Sequence, residues 1–279
     1  MEKLGLLISD VLAKKELSNL EPDFVKPKLI MFLNNHKKIK DRLESSEYEK
    51  FKRSKDHKEV VSRVRAELRT VYGVFINDEY RKRHGLLEAL KEDPSVENHD
   101  NILSLHKSTQ ERLPIYRMVY KKIFSFTGVP KMIVDLACGL NPISYPYLGC
   151  KPEYLACDLS GKDMEFVSEY FSIMNIKGEA RKIDLLKNDV SKVTAGADVT
   201  FLFKALDSLE VVEWNKSEEV LKRIKSEFIV VSFATKSIGG RKDIRPEKRL
   251  WAQRIFQKNR WEYSEFELPG EYFYVVRKA

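Results

Sequence analysis

The sequence predicts an α/β protein: a mostly parallel, seven-stranded sheet flanked by helices and preceded by an all-helical N-terminal domain. Three observations carry this. Apolar residues recur at helical spacing up to about Arg112, short apolar runs alternate with longer helical segments from Met132 onward, and the last two runs are joined through Pro269 and Gly270. A chain of 279 residues suits one core with an added module, which gives domains of 1–112 and 113–279.

In the first part, Val60, Val61, Val64, Leu68 and Val71 fall on one helix face. The stretch from Lys91 to Asn101, rich in charge and interrupted by Pro94, reads as a solvated loop. The second part offers strands at Ile133 to Ala137, Tyr154 to Leu159, Ala180 to Leu185, Val199 to Leu206 and Phe228 to Ala234. Two late runs, Glu262 to Leu268 and Tyr272 to Arg277, form a hairpin, so the parallel sheet ends in antiparallel pairing.

Hydrophobic residues make up 43% of the chain and aromatics 11%, enough for a sizeable core and too many for a disordered or fibrous protein. A net charge of +8 favours a polyanionic partner. Cys138, Cys150 and Cys157 have neither paired zinc-ligand spacing nor a disulfide framework, so no metal site is expected and a reducing cytoplasm is the simplest setting. Glu2, Lys3 and Asp10 interrupt the short apolar stretch at the start, unlike a signal peptide.

The chemistry gathers at successive strand ends. Val134-Asp135-Leu136-Ala137-Cys138-Gly139-Leu140-Asn141-Pro142 is an apolar strand breaking into a turn of small residues, which let a ligand approach the backbone where open α/β sheets bind cofactors. Nineteen residues after Gly139, Asp158 ends the second run, where a carboxylate can accept from both ribose hydroxyls of an adenosine cofactor. Its structural alternative is a helix cap before Ser160. Asp184 ends the third run, where an acidic residue can receive an adenine amino group; alone, it could be a solvated strand-end carboxylate. Nicotinamide dehydrogenases share this layout, but Ala137 stands where a pyrophosphate loop needs its first glycine, and Asn141-Pro142 follow Gly139. With Asp135 before the loop and a late antiparallel hairpin, this favours a class I, Rossmann-like methyltransferase using S-adenosyl-L-methionine.

Four ordered motifs resemble the aminoglycoside-resistance 16S ribosomal RNA (guanine-N(7)) methyltransferases: Leu103 to Leu113 with its His-Lys-Ser-Thr-Gln-Glu-Arg-Leu core, the Asp135 to Pro142 loop, Leu202-Phe203-Lys204-Ala205-Leu206, and Ser232 to Arg241. Val64 to Gly73 is similar to that family's N-terminal domain, so the resemblance spans roughly 55 to 279. It implies methylation of guanosine N(7) in the decoding region of 16S ribosomal RNA, on the small subunit; a monomer is expected. That ring nitrogen has a free lone pair, so alignment and electrostatics suffice without a general base. The resemblance also implies that Arg112 reaches the cofactor carboxylate. Ala137, Gly139, Asn141, Asp158, Leu159, Asp184, Leu185 and Phe203 would hold the rest, with Lys204 beside the methyl donor and target base. Arg112 could instead form an interdomain ion pair, and His106 is a possible contact. Cys138 reads as a small packing residue.

The stretch from Lys236 to Arg260 carries nine cations against Asp243 and Glu247. Lys236, Arg241 and Arg245 could bind phosphates and Trp251 could stack on a base, although a packed Trp251 is the simpler reading. Arg63 and Arg65 belong to a second basic stretch on the N-terminal helices, an auxiliary docking surface or a solvated helix face. Asp207 and Ala234 stand where the family pattern has proline, and a tyrosine near Arg249 is missing. Rival readings are methylation of another RNA, such as transfer RNA or a different ribosomal RNA site, and a non-catalytic ribosome-binding or assembly factor of the same fold. A small-molecule methyltransferase would not call for two basic surfaces.

Overall fold

The computed structural model describes residues 2–72, 76, 78–236, 243–244 and 249–278. The chain divides into two compact units, Met1–Asp78 and Glu79–Ala279.

The first unit is helical: α1 (Glu2–Leu12), α2 (Pro22–Asn35), α3 (Lys37–Ser45), α4 (Tyr48–Lys52) and α5 (Lys55–Val71). Ser54 starts α5 by accepting a hydrogen bond from the His57 N–H at 3.2 Å. Val60, Val61, Val64 and Leu68 are buried together, as their spacing predicts. The Val71 side chain lies outside the described ones. Leu7, Val11, Val25 and Leu29 supply facing surface from α1 and α2, each aliphatic side chain contributing about 2 kcal/mol on burial.

In the second unit, α6 (Arg83–Glu92), α7 (Val96–Leu103), α8 (Lys107–Arg112) and α9 (Tyr116–Thr127) precede the sheet. Two expectations are corrected here. The stretch read as a loop contains α7, because Ser95 caps it through the Asn98 N–H and His99, Ile102 and Leu103 turn one face inward. The division falls after Asp78 rather than after Arg112, because α6 to α8 pack with the sheet unit: α7 meets the 3₁₀ turn Asn141–Tyr147, α6 meets the helix after the second strand, and Arg112 is buried against Glu271.

The strands are β1 (Met132–Leu136), β2 (Glu153–Asp158), β3 (Gly178–Lys182), β4 (Val199–Phe203), β5 (Phe228–Ala234), β6 (Glu262–Leu268) and β7 (Glu271–Arg277). They form one sheet in the order β3-β2-β1-β4-β5-β7-β6, parallel except for β7, which runs antiparallel to β5 and β6. All seven anticipated strands are present. β3 ends earlier than its apolar run because the Asp184 carboxylate folds the chain into a turn, accepting from the Leu186 N–H at 3.0 Å. β4 stops at Phe203 because Lys204 has a φ of +55°. Helices α10 (Gly161–Ile173), α11 (Ser191–Thr194), α12 (Leu206–Val212), α13 (Lys216–Arg223) and α14 (Leu250–Lys258) complete the unit. One core cluster joins Val134, Leu136, Leu202, Val231, Phe233, Phe256 and Tyr274. The strand order reverses between β1 and β4, which places a crevice outside their carboxyl ends.

Candidate active site

β1 leaves the sheet through Ala137 and Gly139, with φ of +53° and +51°. These left-handed turns open the chain end of β1 toward the crevice. A Cβ at Gly139 would lie 3.1 Å from Nε2 of His106, a tight contact that adds to the left-handed backbone's preference for glycine. β2 runs beside β1 and brings Asp158 under this loop. Oδ2 of Asp158 accepts from the Gly139 N–H at 2.8 Å and Oδ1 from the Leu159 N–H at 2.7 Å. A carboxylate has about four acceptor positions. These two bonds, with a third from the Ser160 N–H to Oδ1 at 3.4 Å, orient Asp158 and leave about one acceptor position for a ligand's hydroxyl. Burial pushes its carboxyl up to about 6, against the backbone hydrogen bonds that favour ionisation.

Asp135 lies below the loop, wholly buried. Its Oδ2 accepts from Asn141 Nδ2 at 2.9 Å and from the Tyr154 hydroxyl at 2.7 Å, while Oδ1 has no partner among the described residues. Burial also raises this carboxyl to about 6. Left-handed small residues, a tethered carboxylate with a spare acceptor position and an orphaned buried oxygen fit an adenosine-type cofactor. Asp184 follows β3 with its side chain largely covered and Lys187 at 3.5 Å; Leu185 is buried beside it and Leu159 is half-buried.

Arg112 is 1% exposed. Its Nη2 and Nε donate to the two Glu271 oxygens at 2.8 and 3.0 Å, and Nη1 donates to Asn141 Oδ1 at 2.9 Å. The guanidinium lies 4.7 Å from the centre of the Phe203 ring. The ion pair anticipated as its alternative role thus exists, but inside one unit. Nη2 also reaches the Ser108 hydroxyl at 3.5 Å, which leaves one of the fork's five N–H groups beyond these bonds. Glu271 opens β7 and also accepts from the Ser232 hydroxyl, and Lys204 Nζ lies 3.5 Å from it. The other partner of Lys204 is Glu111, at 2.7 Å. Guanidinium and ammonium together keep the Glu271 carboxyl below its usual range despite burial.

Sequence reasoning missed Glu271 and Glu111. The signal for Glu271 was a single acid opening the otherwise apolar run Tyr272 to Val276; Glu111 lay inside a motif read only for Arg112. His106 packs against the cofactor loop, and burial plus the charges of Arg112 and Lys204 push its imidazole down to about 3. Cys138 is buried and its thiol is raised well above its usual value, in keeping with a packing role.

The basic surfaces divide. Arg63 is exposed on α5, whereas Arg65 is half-buried and donates to the Val11 and Asp10 carbonyls that end α1. Trp251 is half-buried, packs against the core and stands edge-on to Phe233 with ring centres 5.9 Å apart. Lys236 is exposed, and its backbone forms an isolated antiparallel β-bridge with that of Asp243. Arg241 and Arg245 lie outside the described residues.

The family model for ribosomal RNA methyltransferases of the FmrO type matches residues 41–275. A 16S rRNA (guanine(1405)-N(7))-methyltransferase of Micromonospora rosea is 34% identical over 240 residues, covering 80% of this chain and 84% of its own. One of the same name from Frankia casuarinae is 29% identical over 233 residues, covering 80% and 81%. The crystal structure of the 16S rRNA methyltransferase RmtF in complex with S-adenosyl-L-homocysteine superposes with a TM-score of 0.80 at 26% identity, covering 100% of this chain and 99% of that one. With four motifs matched in order, a seven-stranded sheet of this topology and a family model spanning most of its length, the chain belongs to the FmrO family of ribosomal RNA methyltransferases.

Proposed function

We propose that this chain methylates N(7) of a guanosine in the decoding region of 16S ribosomal RNA within the small subunit, using S-adenosyl-L-methionine. The observation that carries the reading is the loop around Gly139 tethered to Asp158, continuous with Lys204, Glu111, Arg112 and Glu271. The cofactor supplies an electrophilic sulfonium methyl. Asp158 would take a ribose hydroxyl, Asp184 and Leu185 the adenine side, and Arg112 the amino-acid end through its remaining donor. Lys204 would face the methyl donor and base from the end of β4.

The chemistry of the pocket suits a nucleophile that needs no deprotonation. With its imidazole pushed down to about 3, His106 is a poor proton acceptor, and Cys138 is a buried neutral thiol. Catalysis then rests on holding the lone pair in line with the methyl group. Exposed Arg63 and Lys236 support docking of a polyanion, whereas Arg65 serves the fold. Relatives named for guanine-N(7) methylation of 16S rRNA support the target.

Purified small subunits and bulk transfer RNA, each incubated with the protein and radiolabelled cofactor, separate the readings. Label on subunits alone is expected. Label on transfer RNA alone would reverse the order, and subunit binding without transfer would favour an assembly factor.

A further inference from the structure

Because β7 runs antiparallel to β5, its first residue, Glu271, lies level with the last residue of β5, Ala234, on the rim where the parallel strands end. The late hairpin thus delivers an acid to the crevice. Glu271 is 1% exposed. Its two oxygens accept from Nη2 and Nε of Arg112 at 2.8 and 3.0 Å, one of them also accepts from the Ser232 hydroxyl, and Lys204 Nζ stands 3.5 Å away.

The link to Lys204 is double. The Ser232 hydroxyl and carbonyl accept from the Lys204 N–H at 3.1 and 3.0 Å, so Glu271 orients the group that grips the Lys204 backbone as well as facing the ammonium directly. Lys204 has a φ of +55°, a conformation that a lysine keeps only where its surroundings over-determine it. Toward Arg112, Glu271 occupies Nε and one N–H of Nη2, while Ser108 and Asn141 take one N–H each, so the donor left over is on Nη1. The guanidinium also rests 4.7 Å from the ring centre of Phe203, the residue before Lys204. Two buried cations side by side repel each other unless a counter-charge lies between them. Glu111, the other acid on Lys204, has a side chain 43% exposed and is screened by solvent, whereas that of Glu271 is 2% exposed and is not.

We propose that Glu271 is a positioning residue with two arms: one carboxylate fixes both the Arg112 donor that meets the cofactor and the Lys204 ammonium that faces the target base, and so holds the two halves of the methyl-transfer site in register. The proposal rests on the RNA-methylating reading above. Glu271 itself is assigned no contact with RNA or cofactor.

The test uses the full chain, S-adenosyl-L-methionine and purified small subunits. Glu271→Gln keeps the size and removes the charge; Glu271→Asp keeps the charge and shortens the reach. For each, kcat at saturating cofactor, KM for subunits, cofactor affinity by calorimetry and the thermal midpoint are measured, and Glu271→Gln is repeated on Arg112→Lys and Lys204→Ala backgrounds. Two arms predict that Glu271→Gln weakens cofactor binding at least tenfold and also lowers kcat at least tenfold, with subunit KM within about threefold. Glu271→Asp recovers part of both. On the Lys204→Ala background the further loss of kcat shrinks below threefold while the cofactor defect persists; on the Arg112→Lys background the cofactor defect shrinks and the kcat loss persists. Losses that multiply fully on both backgrounds, or a lower thermal midpoint with kcat and cofactor affinity at wild-type values, would reduce Glu271 to a structural brace. A loss of only one of the two parameters would leave a single arm, and each of these results overturns the proposal. Should Glu271→Gln fail to fold, Ser232→Ala decides, since it spares the carboxylate and cuts its link to the Lys204 backbone: a kcat lowered at least threefold with unchanged cofactor affinity is expected, and a wild-type kcat overturns the proposal. Wild-type transfer is the control: if it is absent the function reading fails, and if it is present while Glu271→Gln behaves as wild type only the role of Glu271 fails.

Discussion

Asp158 carries most of the cofactor argument at the scale of the single residue. Both its oxygens are already oriented by backbone N–H groups, so it is pre-organised as an acceptor. Asp158→Ala should reduce S-adenosyl-L-methionine affinity at least a hundredfold by calorimetry; undiminished binding would remove it from the ribose site. Its raised carboxyl gives a pH signature with a definite sign. The unfolded group ionises near 3.9 and the folded one near 6, so folded protein takes up a proton as pH falls between them. The ionised group therefore costs stability above about 6 and that cost is relieved toward 4. Cofactor affinity should move the other way, weakening as acidification through about 6 fills the acceptor with a proton. Calorimetry between pH 5 and 8 reads this, and a flat wild-type profile would count against it. Lys204→Ala should lower turnover at least tenfold and leave cofactor affinity within a few-fold, since its contacts are with Glu111 and Glu271. The proposed role of Asp158 was suggested by its place at a strand end, and that of Lys204 by the family resemblance. That of Glu271 was not, because it meets Arg112 across 159 residues of sequence, and no local pattern encodes such a pair.

Elements were legible where period and turn chemistry agreed. The hairpin of β6 and β7 followed from Pro269-Gly270, and Gly270 indeed has a φ of +86°. Strand ends were less legible, because a left-handed Lys204 and a turn-forming Asp184 are decided by backbone geometry that apolar runs do not report. α7 was hidden by its surface charge, although Ser95 and Asn98 bore a capping pattern. Within the first unit, Asp10 joins α1 to α4 and α5, accepting from Tyr48 at 2.6 Å, Lys52 at 3.0 Å and His57 at 2.9 Å. These bonds hold its carboxyl below the usual range although burial opposes them. Asp10→Ala should destabilise this unit by roughly 1–3 kcal/mol, the cost of losing charged, partly buried hydrogen bonds. Denaturant unfolding checks this, and an unshifted midpoint would mean that the contacts are superficial.

Over the whole molecule, two compact units and one sheet put the chemistry and the basic stretch in the same half of the chain. The α/β architecture and the family were readable from sequence because each is encoded in contiguous motifs. The division after Asp78 was not, since helical periodicity alone cannot tell which helices pack on a sheet. No helix among the described residues is long and apolar enough to cross a membrane. The target atom is the part of the proposal that rests on relatives named for guanine-N(7) methylation. The decisive measurement is to incubate small subunits with the protein and cofactor, extract the 16S ribosomal RNA and cleave the chain chemically at 7-methylguanosine. A single new cleavage at a decoding-region guanosine, absent without cofactor and lost with Asp158→Ala, is expected; methyl incorporation without such cleavage would place the group on another atom and contradict N(7) transfer.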